Sequence, residues 1–339
     1  MAASDAAARA LTEGPGPGAG PGPGPGPGPA AGGEVTARAG GGRLSLAEVV
    51  HSKRIISGAA LIAAIGLFCF VGPLLYHTNQ VHVNLNIVND PPGPGHPLGT
   101  DEYGIDVLGQ LMAGGQSSLE LAFAVGIGST VLGALYGAMS GVIGGFGDAI
   151  LMRIIDTLLA VPTFILLIIV ASMYTLSLET IILILTLLSW PDVARLVRGQ
   201  VLALRTREFS QAAVGMGATR RWILIRHMVP NTLGIVLVNA TFGLADAIYA
   251  LSALSFLGLG PPPPFTDWGT MLTNGVNNLF NEYWWQVYPP MIALVLVVLA
   301  FRQIGDALTD IVNGGQTGAV LQRRRRRRFG WIPMSSRYE

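Results

Sequence analysis

Lysine is almost missing from this chain: Lys53 is the only one among 339 residues. A G-x-x-x-x-G-K-S/T phosphate loop needs its lysine to reach the β- and γ-phosphates. Lys53 sits in "HSKRII", so no such loop exists, and the chain is not itself an ATPase. Cysteine is as scarce. Cys69 stands alone in an apolar run, which excludes an internal disulfide and reads as a buried small hydrophobe. Charge is scarce too, at 12% of residues, against about 25% in a soluble domain. Half of the residues are hydrophobic and the mean hydropathy is +0.51. Those values describe an integral membrane protein. No nucleophile–base pair is visible, so a membrane enzyme has no catalytic cluster to stand on.

Residues 1–42 differ from the rest. "GPGPGAGPGPGPGPGPAAGG" has no apolar periodicity and cannot bury enough surface to offset its ordering entropy. It is expected to be a disordered cytoplasmic tail. A signal peptide is not expected, because no apolar core follows a short basic start.

Six apolar segments are long enough to span a bilayer, which takes about 20 residues each. They run roughly Ile55–Tyr76, Ser118–Ile143, Ile150–Tyr174, Leu178–Val197, Thr232–Gly258 and Val287–Val312. The expected fold is all-α and polytopic, with a membrane domain over 43–314 and a basic cytoplasmic tail over 315–339. Basic residues set the orientation. With both termini inside, every Lys and Arg falls in a cytoplasmic piece or at the inner end of a span, Arg153 and Arg302 included. The outer loops hold acids instead: Asp90, Asp101, Glu102, Asp106, Asp267 and Glu282. The run Arg323–Arg328 reads as an anchor attracted to anionic lipid. Nothing beside it could recognise a base, so no nucleic-acid partner is expected.

The outer loops are rich in Pro, Gly, Asn and aromatics. "NEYWWQVY" reads either as an interfacial aromatic belt or as a wall that a substrate or partner touches. His77, His82 and His96 lie outside, with spacings that fit no compact metal motif, and no metal is expected. Asp148, Arg153 and Asp156 read as ionic pairing at a helix end.

The loop over 198–231 is too long to be a mere connection. Phe209, Ala212, Ala213 and Met216 follow the i, i+3, i+4, i+7 spacing of one helix face. Two alanines make that face shallow, which suits a protein groove better than a lipid surface. Gly215 and Gly217 permit a turn. "TRRWILIRHMV" restarts a helical pattern, and Pro230 opens the next span.

Gln211-Ala-Ala, then Gly217, then Pro230 resembles the cytoplasmic loop motif of permease subunits of ATP-binding-cassette importers. Further stretches are similar, in order, to the C-type permease of the dipeptide/oligopeptide/nickel branch. They are "HPLGTDEYGIDVLGQLMAGGQSSLELA" from His96, "MRIIDTLLAVP" from Met152, "SWPDVARLVRGQVLALRTREF" from Ser189, "IRHMVPN" from Ile225, "LSFLGLGPPPPFTDWGTML" from Leu254 and "IGDALTD" from Ile304. The resemblance covers about Lys53 to Asn313. The chain departs from the pattern at Gln211, usually Glu, and at Val229, usually Leu. It also has Ile105, Gln110 and Gln116 where arginines are usual, and Leu251 where an acid is usual.

The resemblance implies a type I importer permease with six transmembrane helices in a bacterial inner membrane. It implies a coupling helix formed by Phe209, Gln211, Ala212, Ala213, Met216, Gly217 and Pro230. It implies a homologous second permease, two ATPase subunits holding ATP and Mg, and an extracytoplasmic substrate-binding protein. No cofactor is expected in this chain. The implied cargo is a di- or oligopeptide, with nickel, heme or a glycoconjugate as alternatives. A secondary transporter or channel is the alternative from another class; it would want coupling-ion residues near the midplane. One acid stands out at depth. Asp246 lies about 22 Å along the fifth span at 1.5 Å per residue. It reads either as a residue at the seam with a second permease or as a translocation-path residue that meets a cationic group.

Overall fold

The computed structural model describes residues 46–78 and 82–329. The Pro/Gly tract and residues 330–339 of the basic tail lie outside the described residues. A short helix α1 (Leu46–His51) leads into α2 (Lys53–Leu75). Then come α3 (Val107–Ile143), α4 (Gly145–Leu159), α5 (Thr163–Met173) and α6 (Leu178–Arg205). Next are the short α7 (Glu208–Gly215) and α8 (Arg220–Ile223), the long α9 (Val229–Phe256), α10 (Trp268–Asn277) and α11 (Tyr288–Phe329). No strand occurs among the described residues, only two isolated bridges, so the all-α expectation stands.

Five helices are long and apolar enough to cross a membrane: α2, α3, α6, α9 with the turn before it, and α11. The α4–α5 pair is together long and apolar enough for a sixth crossing, across a bend of 62°. That bend divides the third expected span into two helices. Pro162 lacks an N–H and forces the residue before it out of the helical region, so the chain breaks between Leu159 and Thr163. Hydropathy alone cannot register the break, because the sequence stays apolar through it. Helices also outrun the apolar segments that announced them: α6 continues to Arg205 and α11 to Phe329.

α3 is the axis of the bundle. Gly133, Gly137 and Gly141 recur every fourth residue and form a bare strip along which α6 lies. A Cβ on Gly137 would stand 2.2 Å from the Ala194 carbonyl oxygen, and one on Gly133 2.6 Å from that of Trp190. Small residues at this spacing let two membrane helices approach backbone to backbone. α9 packs on another side of α3, where Gly126 meets Leu244. α2 and α11 pack together through Gly58 and Ile304.

The end of the bundle expected outside is closed by ordered loops. Asp106 caps α3, its Oδ1 accepting from the Leu108 and Gly109 N–H groups. Its Oδ2 accepts from Thr78 (2.7 Å), Tyr76 (3.0 Å) and His96 (3.2 Å). Asp267 caps α10 and also accepts from Ser255 and Thr270 hydroxyls. Trp268 is fully buried and donates to the Leu111 carbonyl at 3.0 Å. Trp285 and Gln286 donate to the Thr100 carbonyl. Part of the expected aromatic belt is therefore internal, since the indole N–H of a buried Trp needs an acceptor. Trp284 remains half exposed.

Candidate functional site

Two features stand apart from packing: a cleft at mid-height and the segment between α6 and α9. The cleft has a volume of ≈ 330 Å³. Its walls come from the middle of α3, the start of α5, the middle of α6 and the middle of α9. They carry Ser129 and Thr130, Ser189 and Asp192, and Asn239 and Asp246. Polar groups at this density halfway along membrane-crossing helices would be left unpaired in lipid. The α4–α5 break opens directly onto it through Thr163 and Phe164. Two broken half-helices tolerate a bend only where it is buried in protein or lines a cavity.

Asp246, singled out by depth, lines this cleft and accepts a hydrogen bond from Arg302 of α11 at 3.0 Å. Arg302 therefore does not lie at an inner span end, as its place in the sequence suggested. It reaches an acid in the middle of α9, and each charge offsets the other's cost of leaving water. The sequence reading missed Asp192, which lines the same cleft from α6. The signal was available: an acid inside the fourth apolar segment, in "LLSWPDVARL".

The expected pairing of Asp148, Arg153 and Asp156 also takes a different form. Asp148 of α4 is gripped by Arg198 of α6, and Asp156 by Arg195, one turn earlier on that helix. Both pairs bridge helices rather than sealing one end. Arg153 has no ion pair among the described residues.

The segment between α6 and α9 folds as a helix, a turn and a second helix. α7 ends in a Schellman motif: the Ala218 N–H donates to the Ala213 carbonyl, and that of Gly217 to the Val214 carbonyl. Gly217 has φ +86°, a left-handed conformation that glycine adopts without steric cost. Thr219 caps α8 through the Trp222 N–H. A wider π turn over Leu224–Met228 then joins α8 to α9. Pro230 accounts for it, since its ring crowds the carbonyl four residues back and offers no N–H.

The four residues expected on one docking face divide. Phe209, Ala212 and Met216 are exposed, Met216 by 83%. Ala213 is only 4% exposed and packs inward with Val193, Val197, Val201 and Leu204 of α6 and with Ile223 and Met228. Spacing placed Ala213 at the edge of the face, and the edge is where the helix meets its own bundle. Gln211 is exposed, its amide donating to the Thr206 carbonyl. His227 packs against Phe209 at a tilt and against Trp222 edge-on, at centroid distances of 5.9 and 5.1 Å. That contact ties α7 to the turn ahead of α9.

Among the described residues, no group of His, Cys, Asp or Glu is arranged to hold a metal ion. His96 points at Asp106.

A family profile described as the binding-protein-dependent transport system inner membrane component matches residues 130–317. The dipeptide transport system permease protein DppC of Bacillus subtilis is 34% identical over 77% of this chain and 82% of its own length. The oligopeptide transport system permease protein OppC of the same organism is 34% identical over 77% of this chain and 86% of its own length. OppC of Mycobacterium bovis is 35% identical over 78% and 91%.

Proposed function

The chain belongs to the family of binding-protein-dependent transport system inner membrane components, the permease subunits of ATP-binding-cassette importers, and from that premise we propose that it carries short peptides inward by alternating access. It is a multi-pass inner-membrane protein. Peptide cargo is proposed because the relatives are named as dipeptide and oligopeptide permeases. The cleft supplies one half of the translocation path, Asp246 in its wall, and a homologous second permease supplies the other. ATP and Mg belong to two partner ATPase subunits, and a binding protein delivers cargo at the end closed by Asp106 and Trp268. Both termini face the cytoplasm, as does α7.

The observation that carries this reading is the position of α7 between the two helices that wall the cleft. α6 leads into α7 and bears Ser189 and Asp192. α9 leaves the same segment and bears Asn239 and Asp246. A shared apolar cluster fastens α7 to the end of α6 and to Met228 at the start of α9. A displacement of α7 by the ATPases would move both walls as one rigid body. Phe209, Gln211, Ala212 and Met216 form the exposed contact rim, and Gly217 and Pro230 set its geometry.

The test uses the complete complex in proteoliposomes. Ala212→Trp and Met216→Asp should leave complex yield near the parent's. They should cut tripeptide uptake and peptide-stimulated ATP hydrolysis by about tenfold or more, the loss expected when roughly 1.4 kcal/mol of docking is removed. Parental rates in both variants would remove α7 as the coupling element.

A further inference from the structure

Three arginines of α6 and α11 each already hold a carboxylate. Arg302 holds Asp246 at 3.0 Å, Arg195 holds Asp156 at 2.7 Å, and Arg198 holds Asp148 at 2.6 Å. Asp192 is different. It lines the cleft near the middle of α6, it is exposed, and it makes no hydrogen bond or ion pair among the described residues. The other polar side chains of the lining, Ser129, Thr130, Thr163, Ser189, Asn239 and Tyr249, are neutral, and no cationic residue lines the cleft. The cleft therefore carries one uncompensated charge, and it is negative. At that depth a carboxylate is costly unless it meets water or a cation. The two nearest cations on its own helix, Arg195 and Arg198, are taken.

We propose that Asp192 is the residue by which the cleft selects a positively charged group on its cargo. With peptide cargo, as proposed above, that group is the N-terminal ammonium or a basic side chain. Asp246, the acid that depth alone would favour, is a charge of the wall, neutralised by Arg302. The proposal extends the peptide reading, and its test separates the two.

The first arm needs no cargo. Ser189 lies one turn from Asp192 on the same face, with side chains about 5–6 Å apart. Ser189→Cys is placed in a Cys69→Ala background, and the assembled complex in detergent is labelled with a cationic trimethylammonium and an anionic sulfonate methanethiosulfonate. A unit charge at that distance in a water-filled cleft changes each rate by about threefold in opposite directions, so the ratio changes by about tenfold. Asp192→Asn should lower the cationic-to-anionic ratio by that factor. Asp192→Ser, a second neutral variant, should do the same, and Asp192→Glu should restore it. An unchanged ratio in the neutral variants would overturn the proposal. The second arm compares uptake of a free tripeptide and its N-acetylated form. Asp192→Asn should slow the free peptide about tenfold and the acetylated one little; equal slowing would overturn the role in selection. A parent complex that imports neither form would sink the peptide reading, while the labelling ratio would still decide whether Asp192 favours cations.

Discussion

Arg198 holds Asp148 with two parallel hydrogen bonds of 2.6 Å, Nε to Oδ1 and Nη2 to Oδ2. Ser140 of α3 donates to the same Oδ1 at 2.5 Å. One carboxylate at the start of α4 thus joins three helices, on the part of α6 that leads to α7. An arginine fork fits a carboxylate in a way that an ammonium cannot. Arg198→Lys should therefore weaken the joint by roughly 2 kcal/mol although charge is kept. The expected phenotype is a complex of near-normal yield whose peptide-stimulated ATP hydrolysis falls several-fold. If Arg198→Lys couples as well as the parent while Arg198→Ala does not, charge alone suffices and the forked geometry is incidental.

At Gly217 a Cβ would meet nothing within 4 Å, so space is not what demands glycine. The demand is φ +86°. Asn tolerates left-handed backbone better than branched residues do. Gly217→Asn should retain most uptake. Gly217→Val should lose most of it, at a cost of about 1–2 kcal/mol in the turn. Pro, with φ fixed near −65°, should lose all of it. Equal uptake by the Asn and Val variants would show that the turn's conformation does not matter.

Ala213 and Ala212 are neighbours with opposite environments. Ala213→Trp would overfill the cluster around Val201 and Leu204, which costs about 1–3 kcal/mol or more. It should lower the yield of complex, whereas Ala212→Trp should not. Quantifying complex by size-exclusion chromatography separates the two. Normal yield with Ala213→Trp would place that residue on the outer rim after all.

How much of this was legible in the sequence follows from what each signal measures. Six apolar runs gave the crossings because hydropathy reports burial in lipid directly. The bend at Pro162 was hidden inside one of them, since one proline barely lowers the mean hydropathy of so apolar a run. Pro191 sits inside α6 without stopping it, so proline alone did not announce the break either. The helix–turn–helix was legible because Gly215 and Gly217 permit a turn and Pro230 suits the first turn of the next span. The division of α7 into Ala213 inward and Ala212 outward was not, because it depends on where α6 passes. Asp246 was found by depth. Its partner Arg302, distant in sequence, required the tertiary fold. So did the strip of Gly133, Gly137 and Gly141, although its spacing could have been noticed in "GALYGAMSG".

Asp267 is fully buried, and burial pushes its carboxyl above the ordinary value of 3.8, against the pull of hydrogen bonds from Thr270, Ser255 and Gly269. A carboxyl with a raised folded pKa binds its proton more tightly in the folded state. Its stabilising contribution is present below the unfolded value and is lost as pH rises through the folded one. Asp267→Asn keeps an oxygen acceptor for the Gly269 and Thr270 N–H groups and removes the titration. Its thermal midpoint in detergent should change less between about pH 4 and pH 7 than the parent's. A slope equal to the parent's would mean that Asp267 does not titrate in that window.

The Asp246–Arg302 pair joins α9 to α11 beside the cleft, with both side chains more than half exposed. Removing one partner strands the other. On insertion scales a lone charge at the centre of a membrane helix costs about 2.5–3.5 kcal/mol. Arg302→Leu and Asp246→Leu should each lower the yield of assembled complex several-fold. Asp246→Asn should help only in part, because an amide can accept a hydrogen bond from Arg302 but leaves its charge uncompensated. The double variant Asp246→Leu/Arg302→Leu removes both charges and should recover yield, as should the swap Asp246→Arg/Arg302→Asp. Uptake then distinguishes the wall from the path. If the pair is only a brace, the double Leu variant should transport the free and the N-acetylated tripeptide in the parental ratio. If Asp246 itself meets the cargo's ammonium, that variant should lose the free peptide selectively while keeping its yield. The measurement is uptake of both peptides in proteoliposomes matched for complex content. Failure of the double variant to recover yield would show that the two side chains do not depend on each other.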